Sequence, residues 1–130
     1  MKIITNENYV DKAEQVIKHL QGLKDQRGYS IPLVTTSKIR NLLSMTADIY
    51  NDVMLLQDEE LTERIKEQLS YLRIRCLYEA GRENSVKLFV KQSEVLDILP
   101  EIGNRKDYIL FSHYMEALVA WRKYLDSRDA

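Results

Sequence analysis

Apolar residues recur at steps of three and four along most of this chain, and that spacing constrains its fold more than any other feature. The step matches the 3.6-residue turn of an α-helix, and no segment shows the sustained two-residue alternation of a half-buried β-strand. The chain has only 4 glycines and 2 prolines in 130 residues, so few positions are suited to turns. We therefore expect an all-α fold of long helices, in one domain spanning residues 1–130.

Five segments follow the helical period, which predicts a compact bundle of about five helices. Four of these segments begin with a residue that can cap a free helix end, namely asparagine, threonine, serine or aspartate. The predicted helices run from Asn8 to Lys24, ending near Gly22; from Thr35, Thr36 or Ser37 to Leu56; from Asp58 to Gly81; from Glu83 to Leu99; and from Asn104 or Asp107 to Leu125.

The apolar stripes predict which side of each helix faces the core. On the first helix the stripe is Val10, Ala13, Ile17 and Leu20. We expect Asp58 to cap the third helix, with Glu59, Glu60 and Glu63 in its first turns, where negative charge complements the positive end of the helix dipole. The fifth helix has apolar residues around most of its circumference, so neighbours are expected on two of its sides.

Residues that carry catalytic or metal chemistry are scarce. His19 and His113 stand on different predicted helices without a second ligand at metal-binding spacing, and Cys76 falls on the core stripe of the third helix. Neither a glycine-rich phosphate loop nor a HExxH or CxxC pattern occurs. An enzyme is therefore the weakest class for this chain, and we expect no cofactor or metal.

The same sequence predicts a cytoplasmic protein that does not enter a membrane. Its single cysteine excludes an internal disulfide framework and favours a reducing compartment. The N-terminus lacks the apolar core of a signal peptide, and no stretch of about 18 uncharged apolar residues occurs.

Charge is unevenly distributed although the formal sum is only −1. Residues 57–67 contain five acidic and two basic side chains, which gives −3, whereas residues 68–91 contain five basic and two acidic side chains, which gives +3. Charge is therefore polarised along the third helix and across its junction with the fourth.

One side of the third helix combines arginines with tyrosines. At 100° per residue, five residues fall within about 60° of arc beside the core stripe. They are Arg64, Tyr71, Arg75, Tyr78 and Arg82. Guanidinium groups bind phosphate oxygens and tyrosine rings pack against sugars or bases, so this flank can contact RNA. Spacing alone equally permits a solvated face with ion pairs such as Glu79 with Arg75 and Glu83 with Lys87.

A second cationic region opens the second helix. Lys38 and Arg40 follow Thr36 and Ser37 at a predicted helix N-terminus, where free N–H groups and the helix dipole favour an anion. Hydroxyl capping alone accounts for the threonine and serine equally well.

Three stretches of the chain resemble the small helical subunit of the type III-A CRISPR effector, the Csm complex. The first matches L-T-T-S-x-[IL]-R with Val34 in place of the usual leucine, the second matches Y-L-[RK] followed by Y-x-A-G-R-E, and the third matches Y-[FM]-E-A-L-V-A with an aromatic residue. They are residues 34–43 (VTTSKIRNLL), 71–83 (YLRIRCLYEAGRE) and 114–121 (YMEALVAW). Their order and spacing agree with the family over nearly the whole chain.

The resemblance implies a non-catalytic subunit of an antiviral RNA-guided complex. Several copies would stack head to tail beside the backbone filament subunits and near the large subunit, and would contact the backbone of the guide and target RNA. The RNA contacts expected on this basis and from the flank are Lys38, Arg40, Arg73, Arg75 and Arg82, with Lys123 as a weaker candidate. Of these, Arg73 and Arg82 match the family motif, whereas Arg75 rests on the flank alone, and Arg73 lies on the opposite side of the helix.

Arg122 lies near the apolar stripe of the fifth helix, so we expect it to be semi-buried and structural rather than an RNA contact. The alternative function is a helical protein–protein adaptor without direct RNA contact, in which the basic flank would meet acidic partner surfaces.

Overall fold

The structure is a computed structural model and describes residues 3–125. Within this range the chain forms six α-helices, a short 3₁₀ turn and one isolated bridge between Lys24 and Ser30. The helices are α1 (Tyr9–Gln21), α2 (Thr36–Met54), α3 (Glu63–Arg82), α4 (Asn84–Ser93), α5 (Val95–Ile98) and α6 (Arg105–Tyr124), with the 3₁₀ turn at Leu99–Glu101. The all-α prediction is confirmed.

The five longer helices pack in a closed ring. Helix α6 lies against α1 and α2, α2 lies against α3, α3 against α4, and α4 against α1. The buried apolar side chains of these helices form one hydrophobic core. The expectation that the last helix has neighbours on two sides is confirmed, because α6 contacts both α1 and α2.

Helix α6 supplies the largest buried side chains of the core. Tyr108 and Tyr114 are fully buried, and each hydroxyl still has a partner: Tyr108 Oη donates to the carbonyl of Thr46 at 2.6 Å, and Tyr114 Oη donates to the carbonyl of Ser93 at 2.8 Å. Burial raises the pKa of both phenols, so they stay neutral and act as donors. These bonds tie α6 to α2 and to the end of α4.

The end of α6 anchors the segment that leads into α2. Arg122 is 5% exposed, and its Nε donates to the carbonyl of Val34 at 2.7 Å. Its expected structural role is confirmed. The indole Nε1 of Trp121 donates to the carbonyl of Val10 at 3.0 Å, which links α6 to the first turn of α1.

The Val10 side chain does not join the core, which corrects the sequence prediction. It is 44% exposed, while the buried face of α1 consists of Ala13, Val16, Ile17 and Leu20. Val10 lies about 70° from the centre of that face at 100° per residue, and this offset places it at the edge in the first turn.

Most predicted helix ends agree with the structure. The side chain of Thr35 accepts from the backbone N–H of Lys38 at 3.3 Å and caps α2, and the side chain of Asn104 accepts from the N–H of Asp107 at 2.9 Å and caps α6. Helix α1 ends at Gln21, next to the predicted Gly22. Threonine and asparagine oxygens satisfy N–H groups that have no partner within the helix.

The predicted start of the third helix at Asp58 is wrong. Helix α3 begins at Glu63, and Thr62 caps it by accepting from the N–H of Ile65 at 3.2 Å. Glu59 instead meets the start of α6: its carbonyl accepts from the N–H of Arg105 at 2.8 Å and its carboxylate from that of Lys106 at 3.2 Å. Glu63 does stand in the first turn of α3, as predicted, whereas Glu59 complements the positive end of α6.

The predicted helix from Glu83 to Leu99 is also wrong, because it is interrupted at Glu94. This residue has φ 64° and ψ 25°, a left-handed conformation that ends α4 and precedes α5. Its carboxylate pairs with Lys12 of α1 at 2.9 Å. Buried apolar residues continue on both sides of the break, so the hydrophobic pattern gives no sign of it.

We predict that Tyr108→Phe destabilises the protein by about 0.5–1.5 kcal/mol, because the carbonyl of Thr46 loses its bond to the phenol and keeps only its helical partner within α2. Tyr124→Phe is the matched control, since Tyr124 is 80% exposed, and it should change stability by less than about 0.5 kcal/mol. Urea unfolding of both variants measures the difference. Equal stability of the two variants would contradict the importance of the α6–α2 hydrogen bond.

Candidate nucleic-acid interface

The candidate interface lies where the start of α2 meets the end of α3. The two helices are antiparallel: an ion pair joins Lys38 to Glu83 at one end, and Gln68 Nε2 donates to Asp52 Oδ2 at 2.9 Å near the other. This arrangement carries Lys38 to the C-terminal turns of α3. Two cationic regions that are separate in the sequence therefore adjoin in the fold.

The last two turns of α3 gather two guanidinium groups around one tyrosine. The guanidinium carbons of Arg75 and Arg82 lie 5.1 Å and 5.6 Å from the ring centroid of Tyr78. The Tyr78 ring is 53% exposed and remains open to a ligand. Cations over an exposed aromatic face stabilise such an arrangement by about 0.5–1 kcal/mol each. We name Lys38, Arg75, Tyr78 and Arg82 the basic surface.

Each cation of the basic surface forms an ion pair with a carboxylate of the same chain. Arg75 Nη2 donates to Glu79 Oε1 at 3.1 Å, and Arg82 Nη1 lies 3.5 Å from the same oxygen. The predicted Glu79–Arg75 ion pair is therefore confirmed. The predicted partner of Glu83 is wrong, because that carboxylate pairs with Lys38 across the helix pair rather than with Lys87. The basic surface is thus cationic overall but locally neutralised.

Three of the predicted RNA contacts lie apart from the basic surface. Arg40 stands two residues beyond Lys38, about 200° around α2 and away from α3. Arg73 lies about 180° around α3 from Arg82, and Lys123 lies in the last turn of α6. All three are exposed, and none forms an ion pair with another residue in the range 3–125. The structure brings together half of the predicted contacts and leaves the others on separate faces.

Arg64, the first member of the predicted flank, belongs to the acidic end of α3. Its Nη2 lies 3.7 Å from Asp52 Oδ2, beside a cavity of about 390 Å³ between α2 and α3. The other lining residues are Met45, Asp48, Ile49, Glu67, Gln68, Tyr71 and Leu72. The predicted flank is therefore divided along its length, with Arg64 at the N-terminal end of α3 and Arg75, Tyr78 and Arg82 in its C-terminal turns.

Sequence reasoning missed an exposed apolar face on α3. Tyr71, Ile74 and Leu77 are each more than half exposed, and they stand on the solvent side of the helix, opposite the core stripe. We name these three residues the apolar face. The sequence does contain a signal for this face, because its three apolar residues stand three positions apart. The core stripe alone is enough to predict the helix, so this second set went unused. Exposed apolar patches of this kind mark protein contact surfaces.

The side chains considered for catalysis have structural surroundings. Cys76 is 1% exposed, and burial raises the pKa of its thiol to about 11. His113 lies between the rings of Tyr9 and Tyr50, with both centroids at 6.4 Å, and His19 is exposed. In the part of the chain that the structure describes, no group of three histidine, cysteine or acidic side chains could hold a metal ion. No helix in the same part is both long and apolar enough to cross a membrane.

The fold and this surface define a class: a small all-α protein in which one helix end gathers arginines around an exposed tyrosine. A family model described as Csm2 Type III-A matches residues 5–128. The chain therefore belongs to the Csm2 family, and it is a small subunit of a type III-A CRISPR Csm complex. The family expected from the three sequence stretches is confirmed.

Curated relatives agree over almost their full length. The chain is 42% identical over 129 residues to the CRISPR system Cms protein Csm2 of Streptococcus thermophilus, which covers 99% of this chain and 100% of the relative. The protein of the same name from Mycobacterium tuberculosis is 39% identical over 127 residues, with 97% and 98% covered. That from Enterococcus italicus is 34% identical over 124 residues, with 90% and 89% covered.

We predict that Cys76 is unreactive in the folded protein. A pKa raised from 9.0 to about 11 lowers the thiolate fraction at pH 8 by about 100-fold, and burial further limits access to the sulfur. Alkylation by iodoacetamide at pH 8 should be at least that much slower in buffer than in urea. The chain has one cysteine, so every adduct reports this site. Similar rates in the two solvents would show that Cys76 is accessible.

Proposed function

We propose that this subunit binds the backbone of guide and target RNA inside the Csm complex, with the basic surface as the main contact. The observation that carries the proposal is the placement of Arg75 and Arg82 over the exposed ring of Tyr78, with Lys38 joined to the end of the same helix through Glu83. Guanidinium groups bind phosphate oxygens through two parallel hydrogen bonds, and a tyrosine ring packs against ribose or base. This is the chemistry of a surface that follows an RNA strand without reading its sequence.

The remaining predicted cations extend the proposed interface. Arg40, Arg73 and Lys123 are exposed, so each is available for a phosphate on another face of the same copy. The formal charge of the chain is only −1, so it has no large excess of cations for phosphate. Each copy needs to bind only a few phosphates if several copies bind one RNA duplex. Binding of one copy raises the effective concentration of RNA for the next.

Protein contacts in this proposal use the other features of α3. The segment 57–67 carries −3 and the segment 68–91 carries +3, so the acidic end of one copy complements the basic end of the next in a head-to-tail stack. The apolar face suits a contact with a backbone filament subunit or the large subunit. We infer a cytoplasmic, antiviral role in which this subunit positions RNA and other subunits perform the chemistry.

The apolar face also supports a second candidate function. Tyr71, Ile74 and Leu77 expose apolar area on the same helix as the basic surface, as a protein–protein adaptor would. In that case the arginines would meet acidic partner surfaces and no RNA would touch α3. The two functions differ in whether loss of the cations changes RNA binding.

We predict that glutamine at Lys38, Arg40, Arg73 and Arg82 together weakens target-RNA binding by the assembled complex by at least about tenfold, because charge-assisted hydrogen bonds to phosphate are lost. All four side chains lie at the surface or only partly buried, so the fold should persist. Filter binding with labelled target RNA measures the effect.

The control removes the same charge elsewhere. Glutamine at Lys18, Lys24, Arg27 and Lys106, which are all exposed, changes the net charge by the same amount and should leave RNA binding within about twofold. RNA binding that is unchanged in the test variant would favour the adaptor. An equal loss in both variants would indicate an effect of net charge rather than of RNA contacts at these four positions.

We predict that Ile74→Asp reduces incorporation of the subunit into the complex by at least about tenfold, because an unpaired carboxylate is costly to bury in an apolar contact. Ile74 is 57% exposed, so the isolated chain should fold normally. Ala47→Asp places the same charge at an exposed position of α2 and serves as the control. Co-purification with tagged complex measures incorporation, and equal yields for both variants would exclude the apolar face as a contact.

A further inference from the structure

Glu79 occupies the centre of the arginine cluster. Its Oε1 is the acceptor for Arg75 Nη2 at 3.1 Å and lies 3.5 Å from Arg82 Nη1. The Glu79 side chain is only 25% exposed, whereas the Arg82 side chain is 57% exposed. One carboxylate oxygen thus contacts both guanidinium groups.

We propose that Glu79 is an intramolecular competitor of RNA phosphate that lowers the affinity of the basic surface for RNA. The inference rests on the proposed function and names a residue that tunes it. Glu79 holds an N–H of Arg75 that would otherwise donate to phosphate, and its charge reduces the charge of the arginine pair from +2 to +1. A phosphate must displace or share this carboxylate before it binds both arginines.

The strength of these ion pairs permits such a competition. Partly exposed pairs three or four residues apart stabilise a helix only weakly, so a phosphate that offers two oxygens to a guanidinium group can replace the carboxylate. The guanidinium groups also keep their positions over the Tyr78 ring, which holds them in place when the carboxylate is displaced. Glu79 therefore attenuates RNA binding without preventing it.

Weak binding by each copy suits a subunit that acts in an assembly. A single strongly cationic copy would hold any RNA through its phosphates, since such binding does not depend on sequence. With Glu79 in place, RNA is held well only where several copies and the guide act together. The competitor thus favours RNA in the channel over RNA in solution.

Glu79 is a cleaner test of this idea than Glu83. The Glu83 carboxylate pairs with Lys38, but its residue also joins α3 to α4: its N–H donates to the carbonyl of Glu79 at 3.3 Å and its carbonyl accepts from the N–H of Lys87 at 3.0 Å. A substitution there changes a helix junction. At position 79, glutamine keeps the length of the side chain and an accepting oxygen, and removes only the charge.

The experiment measures RNA binding by the assembled complex carrying Glu79→Gln. The probe is a labelled target RNA only partly complementary to the guide, so that base pairing does not dominate the affinity. We expect binding to tighten by about two- to fivefold at 0.1 M salt, the range typical of a weak ion pair near the surface. The slope of log affinity against log salt should steepen by about 0.7 for each additional phosphate that the basic surface neutralises.

Two controls separate the competitor from a general effect of charge. Glu116→Gln changes the net charge by the same amount at an exposed position of α6 and should leave the affinity unchanged. Adding Glu79→Gln to Arg75→Gln and Arg82→Gln should have little effect, because the groups that Glu79 occupies are then absent. Equal tightening by Glu116→Gln, or full tightening in the arginine-free background, would overturn the proposal.

The outcomes also distinguish this inference from the function on which it rests. Suppose that Arg75→Gln and Arg82→Gln weaken RNA binding, while Glu79→Gln leaves it unchanged or weakens it. The role of Glu79 as a competitor is then overturned, and the RNA interface stands. If the arginine substitutions have no effect on RNA binding, the RNA interface at this surface fails, and the competitor fails with it.

Discussion

The burial of α6 is the constraint on which the rest of the structure depends. This helix contributes the largest side chains of the core and contacts α1 and α2 directly. Its buried phenol at Tyr108 bonds to the backbone of α2, and Arg122 bonds to the carbonyl of Val34 just before α2 begins. Because polar groups in a core must be paired, these bonds fix the position of α2, and α2 in turn determines where α3 lies.

The candidate interface is a consequence of that arrangement. The antiparallel packing of α2 and α3 places Lys38 beside the C-terminal turns of α3, where Arg75 and Arg82 flank Tyr78. The same turns contain the carboxylates of Glu79 and Glu83, so the surface gathers cations while limiting their net charge. The three cations and two carboxylates leave this surface with a charge of +1, on a chain whose formal charge is −1.

The sequence predicted the fold class, the caps at Thr35 and Asn104, and the burial of Arg122, because each follows from short-range spacing or helix chemistry. It did not predict the break at Glu94, since buried apolar residues continue through it and only the backbone conformation reveals it. Nor did it predict that Glu59 meets α6 or that Lys38 pairs with Glu83, because both contacts join residues that are distant in the sequence. For the same reason, the sequence could name candidate cations but could not tell which of them adjoin.

Crosslinking tests the central claim most directly, since it locates RNA on the surface of the subunit. The assembled complex is bound to target RNA containing 4-thiouridine and irradiated, and the modified peptides are identified by mass spectrometry. The account predicts adducts in the first turn of α2 and the last two turns of α3, with Tyr78 among the modified residues. Adducts confined to other helices, or none on this subunit while its neighbours are modified, would contradict it.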